Sequence, residues 1–491
     1  MEGKTTGDSF AIKFREMGKR RQMAGWSPLV PFLFMLLLVL PLFIVIIIPT
    51  TFLFLLFKKT GKAKEPVFFD EEKDDVKGHL KKGLKKKNER EFHLVIYGAT
   101  GYTGKLAARY AAKQYAGKDV RWAIAGRNPK KLEKVKEELV QIEEGNSSLS
   151  IIVADSSDSK ALEAMVKRTM VVASAVGPFA KYGSRLVGMC ASCGTDYVDT
   201  TGEADWVKHI IARVTPTAKA SGSRIVNFCA HDCIPWDLTV QQHALRLKEK
   251  HNQDLKKIEI VDEIRGNISG GTIETIFNLI QNPLPRPPFG FNPWLADKDG
   301  KRCDSYKCKL SNIKFVSWSN VSNEWTGLFL MADMNGKLVQ RSNILCEYGK
   351  SIQYCEGMTH PSFMAAFVAS FSTILLAVAA FNPILGYIFR EIILPKPGQG
   401  SGGDHDKGYL KVAAVGTGEK GAKVHSVLGF YKDPGYADTG RMLVESGLML
   451  ALENDKLRIQ DGGVWTTAAC LGAGLLDRLV ATGCTFEIRS S

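Results

Sequence analysis

Cysteine is scarce. Ten in 491 residues lack the dense spacing of a disulfide-stapled secreted module, and a chain this long can build a core without staples. This use of cysteine points to a reducing compartment. No zinc-finger spacing, arginine-rich recognition helix or RNA-binding aromatic motif is present, so nucleic acid is not an expected partner. Glycine (46) and proline (19) are too few for a collagen-like or wholly disordered chain. There is no Tyr-x-x-x-Lys pair beside a suitable serine, and no internal repeat.

Charge is missing from one long stretch. Residues 27–57 run 31 positions without a charged side chain and are dense in Leu, Ile, Phe and Val. A bilayer-spanning helix needs about 20 apolar residues, and the run starts too late for an ordinary secretory signal. It therefore predicts a membrane segment. Pro41 near its middle leaves open a single tilted span or a re-entrant hairpin. Basic residues flank both ends, Lys19–Arg21 before and Lys58–Lys64 after, so the positive-inside rule does not orient it. Residues 1–92 carry 18 Lys+Arg against 11 Asp+Glu, half of the formal net charge of +14. That excess flanks the apolar run and points to membrane phosphates. Residues 1–26 read as a basic tail and 58–91 as a charged linker, whose lysines at 81–87 suit either anionic lipid or solvent. A second uncharged run of 29 residues covers Pro361–Phe389.

From residue 92 to 235 short β-rich runs alternate with helical stretches: strands at His93–Tyr97, Arg121–Ala125, Ser150–Ala154, Met170–Ala175, Asp196–Asp199 and Arg224–Phe228. Such alternation predicts right-handed crossovers and an α/β fold, a Rossmann-type doubly wound parallel sheet that binds ligands at its strand carboxyl ends. Beyond Pro235 the rhythm changes. Alternation in Ile258–Ile264 and paired runs at Tyr409–Gly416 and Val424–Tyr431 predict a second α+β domain over 236–434. The stretch 435–491 reads as two helices and a final strand.

The first predicted strand runs directly into Gly98-Ala99-Thr100-Gly101-Tyr102-Thr103-Gly104, and a helix follows. Glycines at this spacing let the backbone turn sharply and approach a pyrophosphate, while the helix N-terminus offers its amides. Gly98, Thr100, Gly101 and Gly104 are the expected phosphate-binding residues. An NAD-selective site places an acid about 20 residues on. Here Ala125-Gly126-Arg127-Asn128 ends the second strand, and no carboxylate occurs until Glu133. Arg127 can fork onto a 2′-phosphate, so the predicted cofactor is NADP(H). Gly177 and Pro178 turn where a nicotinamide ribose would lie.

Catalytic candidates are fewer. Tyr182, Glu203 and Asp232 follow strand ends on the ligand-facing edge, as does Asp199, but a helix-capping or structural reading competes for each. Cys190 and Cys193 form a C-x-x-C within a helical stretch and read as small buried hydrophobes. Cys229, His231 and Cys233 crowd together, yet alternate positions face different ways. No metal is assigned.

Taken with Trp122–Arg127, Val176–Phe179, Tyr197–Asp199, Gly202-Glu203, Gly270–Thr272, Asp433–Tyr436 and Gly462–Val464, the glycine motif resembles the saccharopine dehydrogenase-like oxidoreductases. The resemblance covers about residues 92–491. It is strongest to the branch of lipid-associated animal members and mycobacterial trans-acting enoyl reductases. It implies a Rossmann domain, a second α+β domain with a hydrophobic element matching Pro361–Phe389, and a C-terminal segment that returns to the Rossmann unit. Where the family often has aromatic-Asp-Ser-(Ile/Val)-Pro-x-Asp, this chain has His231-Asp232-Cys233-Ile234-Pro235-Trp236-Asp237.

The resemblance and the apolar runs together imply an NADP(H)-dependent oxidoreductase acting on a lipid or glycolipid intermediate, by enoyl or carbonyl reduction. The expected location is an endoplasmic reticulum or lipid-droplet surface, with the catalytic domain facing the cytosol, or alternatively the plasma membrane. A non-catalytic NADP-binding scaffold at a lipid surface is the competing class, and saccharopine reduction ranks behind both. Nothing in the sequence sets the oligomeric state.

Overall fold

The computed structural model describes residues 84–266, 290–310, 315–382, 386–387 and 408–490, with scattered positions between 33 and 52. The basic tail, most of the uncharged run 27–57, the linker up to residue 83 and the Gly270–Thr272 motif lie outside the described residues. Among the described residues no helix is long and apolar enough to cross a membrane.

Six strands alternate with helices in the first half: β1 (Phe92–Tyr97), β2 (Trp122–Gly126), β3 (Ser150–Val153), β4 (Thr169–Ser174), β5 (Asp196–Asp199) and β6 (Arg224–Val226). Helices α1 (Tyr102–Tyr115), α2 (Pro129–Ile142), α3 (Ser159–Lys167), α4 (Phe179–Tyr182), α5 (Ser184–Ser192) and α6 (Ala204–Ser221) connect them. Caps mark the starts: the Asn128 side chain accepts from Lys131 N, and Asp158 from Lys160 N and Ala161 N. The central strands are buried on both faces, which is why they read as continuous apolar runs. The sheet order is β3-β2-β1-β4-β5-β6, all parallel, so the chain reverses direction between β1 and β4. In parallel sheets with this order, ligands bind at that point, outside the strand carboxyl ends.

Helix α7 (Ile234–His251) leads into a mixed sheet of order β15-β13-β12-β7-β11-β10-β9, with β8 paired to β11. Its strands are β7 (Leu255–Arg265), β8 (Lys307–Leu310), β9 (Val316–Ser319), β10 (Glu324–Gly327), β11 (Ser351–His360), β12 (Tyr409–Gly418), β13 (Lys423–Phe430) and β15 (Thr485–Ser490). Helices α8 (Ala332–Cys346) and α9 (Phe363–Phe381) belong to this half. The uncharged run 361–389 thus forms a helix for most of its length.

The last segment serves both halves. Helix α10 (Thr439–Leu452) lies on the Rossmann sheet, where a Cβ at Gly447 would stand 2.6 Å from Leu94 and one at Gly440 2.9 Å from Ala107 N. Glu445 Oε1 accepts from the Tyr110 and Tyr115 hydroxyls, each at 2.6 Å. β14 (Gly463–Trp465) adds a seventh parallel strand beside β6, whereas the final strand, β15, joins the other sheet. Asp237 staples the parts: it accepts from Ser342 Oγ, Thr467 Oγ1 and Ala468 N. The linker's end is tied down as well. Lys87 Nζ donates to Asp196 Oδ1 at 2.6 Å and to Gly222 O, so this lysine is committed to the fold rather than left for lipid or solvent.

Candidate active site

The glycine turn is built from backbone alone. Gly98 has φ +90°, a conformation that side chains resist, and a Cβ there would lie 2.6 Å from Val176 Cγ2. A Cβ at Gly104 would lie 2.2 Å from Gly98 O, so only glycine lets α1 start so close to the turn. Gly101 is the N-cap of α1 and provides no side-chain cap, and the first turn holds no acid. Its leading amides therefore remain available to an anion. Thr100 lies beside Gly126 at the end of β2. Tyr102 meets Tyr436 edge-on at 4.9 Å, which brings the Asp433–Tyr436 segment against the same turn.

Arg127 follows β2, exposed, and makes no hydrogen bond among the described residues. Its charge helps hold the nearby Asp155 carboxyl low, behind the larger effect of hydrogen bonds from Ser157. The guanidinium is open to a phosphate at the adenosine end of the site. These groups fit a phosphorylated dinucleotide: uncapped amides at a glycine turn, no acid at the end of β2, and an exposed arginine there without a hydrogen bond among the described residues.

After β4 the chain passes through a cis Gly177–Pro178 peptide into α4. Glu203 Oε1 accepts from Phe179 N at 2.6 Å and Oε2 from Ala180 N at 2.8 Å. Burial raises its carboxyl and these two amides oppose that shift. Glu203 thus caps α4 and fixes the Gly177–Pro178 turn, with both oxygens engaged; it is a positioning residue. Glu203→Gln would put an amide NH2 against a backbone N–H, at a cost of about 1–3 kcal/mol. A lower Tm together with a raised Kd for the dinucleotide is the expected result, read by thermal melts with and without NADPH. Tyr182 ends α4, half-buried, with Lys181 Nζ 5.0 Å from its ring centre, and it hydrogen-bonds to neither Glu203 nor Asp232.

Asp199 closes the β5–β6 edge. It accepts from Thr201 N, Phe228 N and Asn227 Nδ2 and is fully buried, which pushes its carboxyl up to about 7. Asp232 differs. It follows β6, is half-buried, and has no hydrogen-bond partner among the described residues. Burial alone raises its carboxyl to about 6. β6, which Asp232 follows, lies two strands from β4 in the sheet order.

The chain neighbour of Asp232, His231, belongs to a buried aromatic cluster that sequence reasoning missed. Burial lowers the His231 imidazole to about 3, and its ring meets Trp236 edge-on at 5.5 Å; Phe329 stacks on Trp236 at 5.4 Å. The indole N–H donates to Asp262 Oδ1 at 2.9 Å. Asp262 lies beside Glu356, which accepts from Asn335 Nδ2 and from the Tyr354 hydroxyl. Burial raises both carboxyls, Glu356 to about 7. A signal was there to be read: Asp262 stands in phase with Ile258, Ile260 and Ile264, an acid on the inward face of a strand. Cys190 and Cys193 are buried in and after α5, and burial raises the Cys190 thiol.

Residues 94–226 match the family model of the saccharopine dehydrogenase NADP binding domain. A Mycobacterium tuberculosis protein provisionally named a trans-acting enoyl reductase is 34% identical over 432 residues, 81% of this chain and 97% of the relative. The trans-acting enoyl reductase of Mycobacterium ulcerans is 32% identical over 427 residues, 80% and 97% of the two chains. The chain belongs to this saccharopine dehydrogenase-like family. It is an NADP(H)-binding oxidoreductase. Among solved structures, saccharopine dehydrogenase (L-Glu forming) of Saccharomyces cerevisiae covers 82% of this chain and all of its own, at 11% identity and a TM-score of 0.48.

Proposed function

We propose that the protein reduces an α,β-unsaturated or carbonyl group of a lipid or lipid-linked acyl chain with NADPH, at an endoplasmic reticulum or lipid-droplet surface. The observation that carries this reading is Asp232: a half-buried carboxyl in the turn after β6, raised to about 6 by burial and without a hydrogen-bond partner among the described residues. Two relatives named as enoyl reductases support the reaction class, and the uncharged α9 supports a lipid substrate.

Gly98, Thr100, Gly101 and Gly104 would hold the pyrophosphate, Arg127 the 2′-phosphate, and Gly177 with Pro178 the nicotinamide ribose. NADPH, when bound, supplies the hydride. Asp232 in its protonated form gives the proton to the second carbon of the double bond, or to the oxygen of a carbonyl. Glu203 keeps the ribose-side turn in place.

Arg127→Ala removes the charge-assisted bonds to the 2′-phosphate, about 1.5–3 kcal/mol, and should weaken NADPH about 10- to 100-fold with NADH unchanged. Fluorescence titrations with both nucleotides check it. The reaction is tested by NADPH consumption across lipid-linked enoyl, ketoacyl and saturated chains, where only unsaturated or keto forms should be consumed. Tight NADPH binding without consumption of any of them would favour the scaffold.

A further inference from the structure

The turn that carries Asp232 is held at both ends and again in its middle. Phe228, two residues past β6, has φ +65°, a left-handed conformation that a bulky side chain adopts only when its surroundings impose it. Asp199 imposes it. Its carboxyl group accepts from Phe228 N and Asn227 Nδ2, and its carbonyl accepts from Cys229 N at 2.7 Å. At the far end Cys233 N and Ile234 N both donate to Ala230 O as α7 begins. Between these anchors His231 N donates to Thr439 Oγ1 at 3.3 Å.

Thr439 lies 208 positions further along the chain. It opens α10, directly after a π-helical turn at Pro434–Asp438. Its hydroxyl donates to Pro434 O at 3.2 Å, so one oxygen closes the π turn and holds the His231 amide. Such turns are rare and recur at functional sites.

Backbone packing wedges this turn in place. A Cβ at Gly408 would stand 2.4 Å from Asp433 Cα, and one at Gly266 3.0 Å from Pro434 Cδ. Tyr436 is buried and meets Tyr102 edge-on, and Tyr102 is the first residue of α1, next to Gly101. The segment therefore touches the glycine turn through Tyr436 and the Asp232 turn through Thr439. Close packing lets a displacement at one contact reach the other.

We propose that Thr439 is a positioning residue: through the Pro434–Asp438 turn it links the glycine turn that receives the nucleotide to the backbone that places Asp232. The donor role of Asp232 rests on the reductase reading above; the link between the two turns does not. A hydroxyl can accept from one partner while donating to another, and valine matches its shape but does neither.

Hydrogen exchange of the full chain, read by mass spectrometry with and without saturating NADPH, tests the link without turnover. NADPH should slow exchange about tenfold, the worth of about one hydrogen bond, in peptides covering 98–104 and 229–233. In Thr439→Val the first protection should remain and the second should be lost. Thr439→Ser, which restores the hydroxyl, should recover it. With an enoyl-lipid acceptor, Thr439→Val should lower kcat about tenfold while KM for NADPH is unchanged, and Thr439→Ser should regain most of the rate. If Thr439→Val does not fold, Tyr102→Leu loosens the other end of the same bridge and should remove the protection of 229–233 with nucleotide bound.

No protection of 229–233 in the wild type, equal protection in Thr439→Val, or a Thr439→Ser variant no better than valine would each overturn the link. Lost protection in Thr439→Val beside full activity in Asp232→Asn would keep the link and remove Asp232 as donor. Low activity in Asp232→Asn beside unaltered exchange in Thr439→Val would do the reverse.

Discussion

Replacing Gly101 by Asp should lower NADPH affinity by about 100-fold or more while leaving the protein folded, as read by nucleotide titration beside a thermal melt. Gly101 has φ −81° and ψ 166°, ordinary extended geometry that Asp adopts freely, and it is the N-cap of α1 without a side-chain cap. Aspartate is among the best N-cap residues: its carboxylate accepts from the first-turn amides and stabilises the helix by about 1 kcal/mol. Those amides are the ones a pyrophosphate needs. The new carboxylate therefore takes the anion's place and repels it, and losing two charge-assisted hydrogen bonds costs about 3 kcal/mol or more. A variant with an unchanged or higher Tm and no nucleotide binding separates this loss from misfolding. Normal NADPH binding would remove the glycine turn from the cofactor site.

Asp232→Asn should cut kcat by about 10²–10⁴-fold, the usual worth of a general acid, with NADPH binding retained. Its pH dependence follows from the environment. Burial brings the carboxyl to about 6, and the donor is the protonated form. The rate should therefore be greatest below that value and fall as pH rises through it. The neighbouring His231 is held near 3 by burial, stays neutral across the assay range and adds no limb of its own. In Asp232→Asn the residual rate should lose this fall with pH. A variant with full activity and the same profile would move the proton donor elsewhere, with Tyr182 next to test.

The nucleotide half was legible because each of its elements is local. Strand ends lie within about two residues of expectation at most positions, since β/α alternation, Asn128 and Asp158 caps and the glycine turn all act over a few residues. The glycine spacing carries its own steric reason, now visible as the 2.2 Å approach of a Gly104 Cβ to Gly98 O. What escaped depends on distant pairing. Nothing near Glu203 announces that its carboxylate caps α4, 24 positions earlier. The Trp236–Asp262 bond and the neighbouring Glu356 join three elements far apart in sequence. The final segment divides between two sheets, β14 to one and β15 to the other, a split that helix and strand patterns do not reveal. The membrane expectation for residues 27–57 falls mostly outside the described residues, whereas the second apolar run forms helix α9 for most of its length.

The central claim is hydride transfer from NADPH to an acyl chain, and a single turnover with NADPH deuterated on the transferable C4 position tests it most directly. The full chain in lipid vesicles, given an enoyl-lipid acceptor, should yield a saturated acyl chain carrying one deuterium, recovered by mass spectrometry together with an equal amount of NADP+. Asp232→Asn should bind the same nucleotide and yield little product. Complete recovery of deuterated NADPH and of unsaturated acceptor, across enoyl and ketoacyl chains alike, would contradict the account and leave a nucleotide-binding protein without this chemistry.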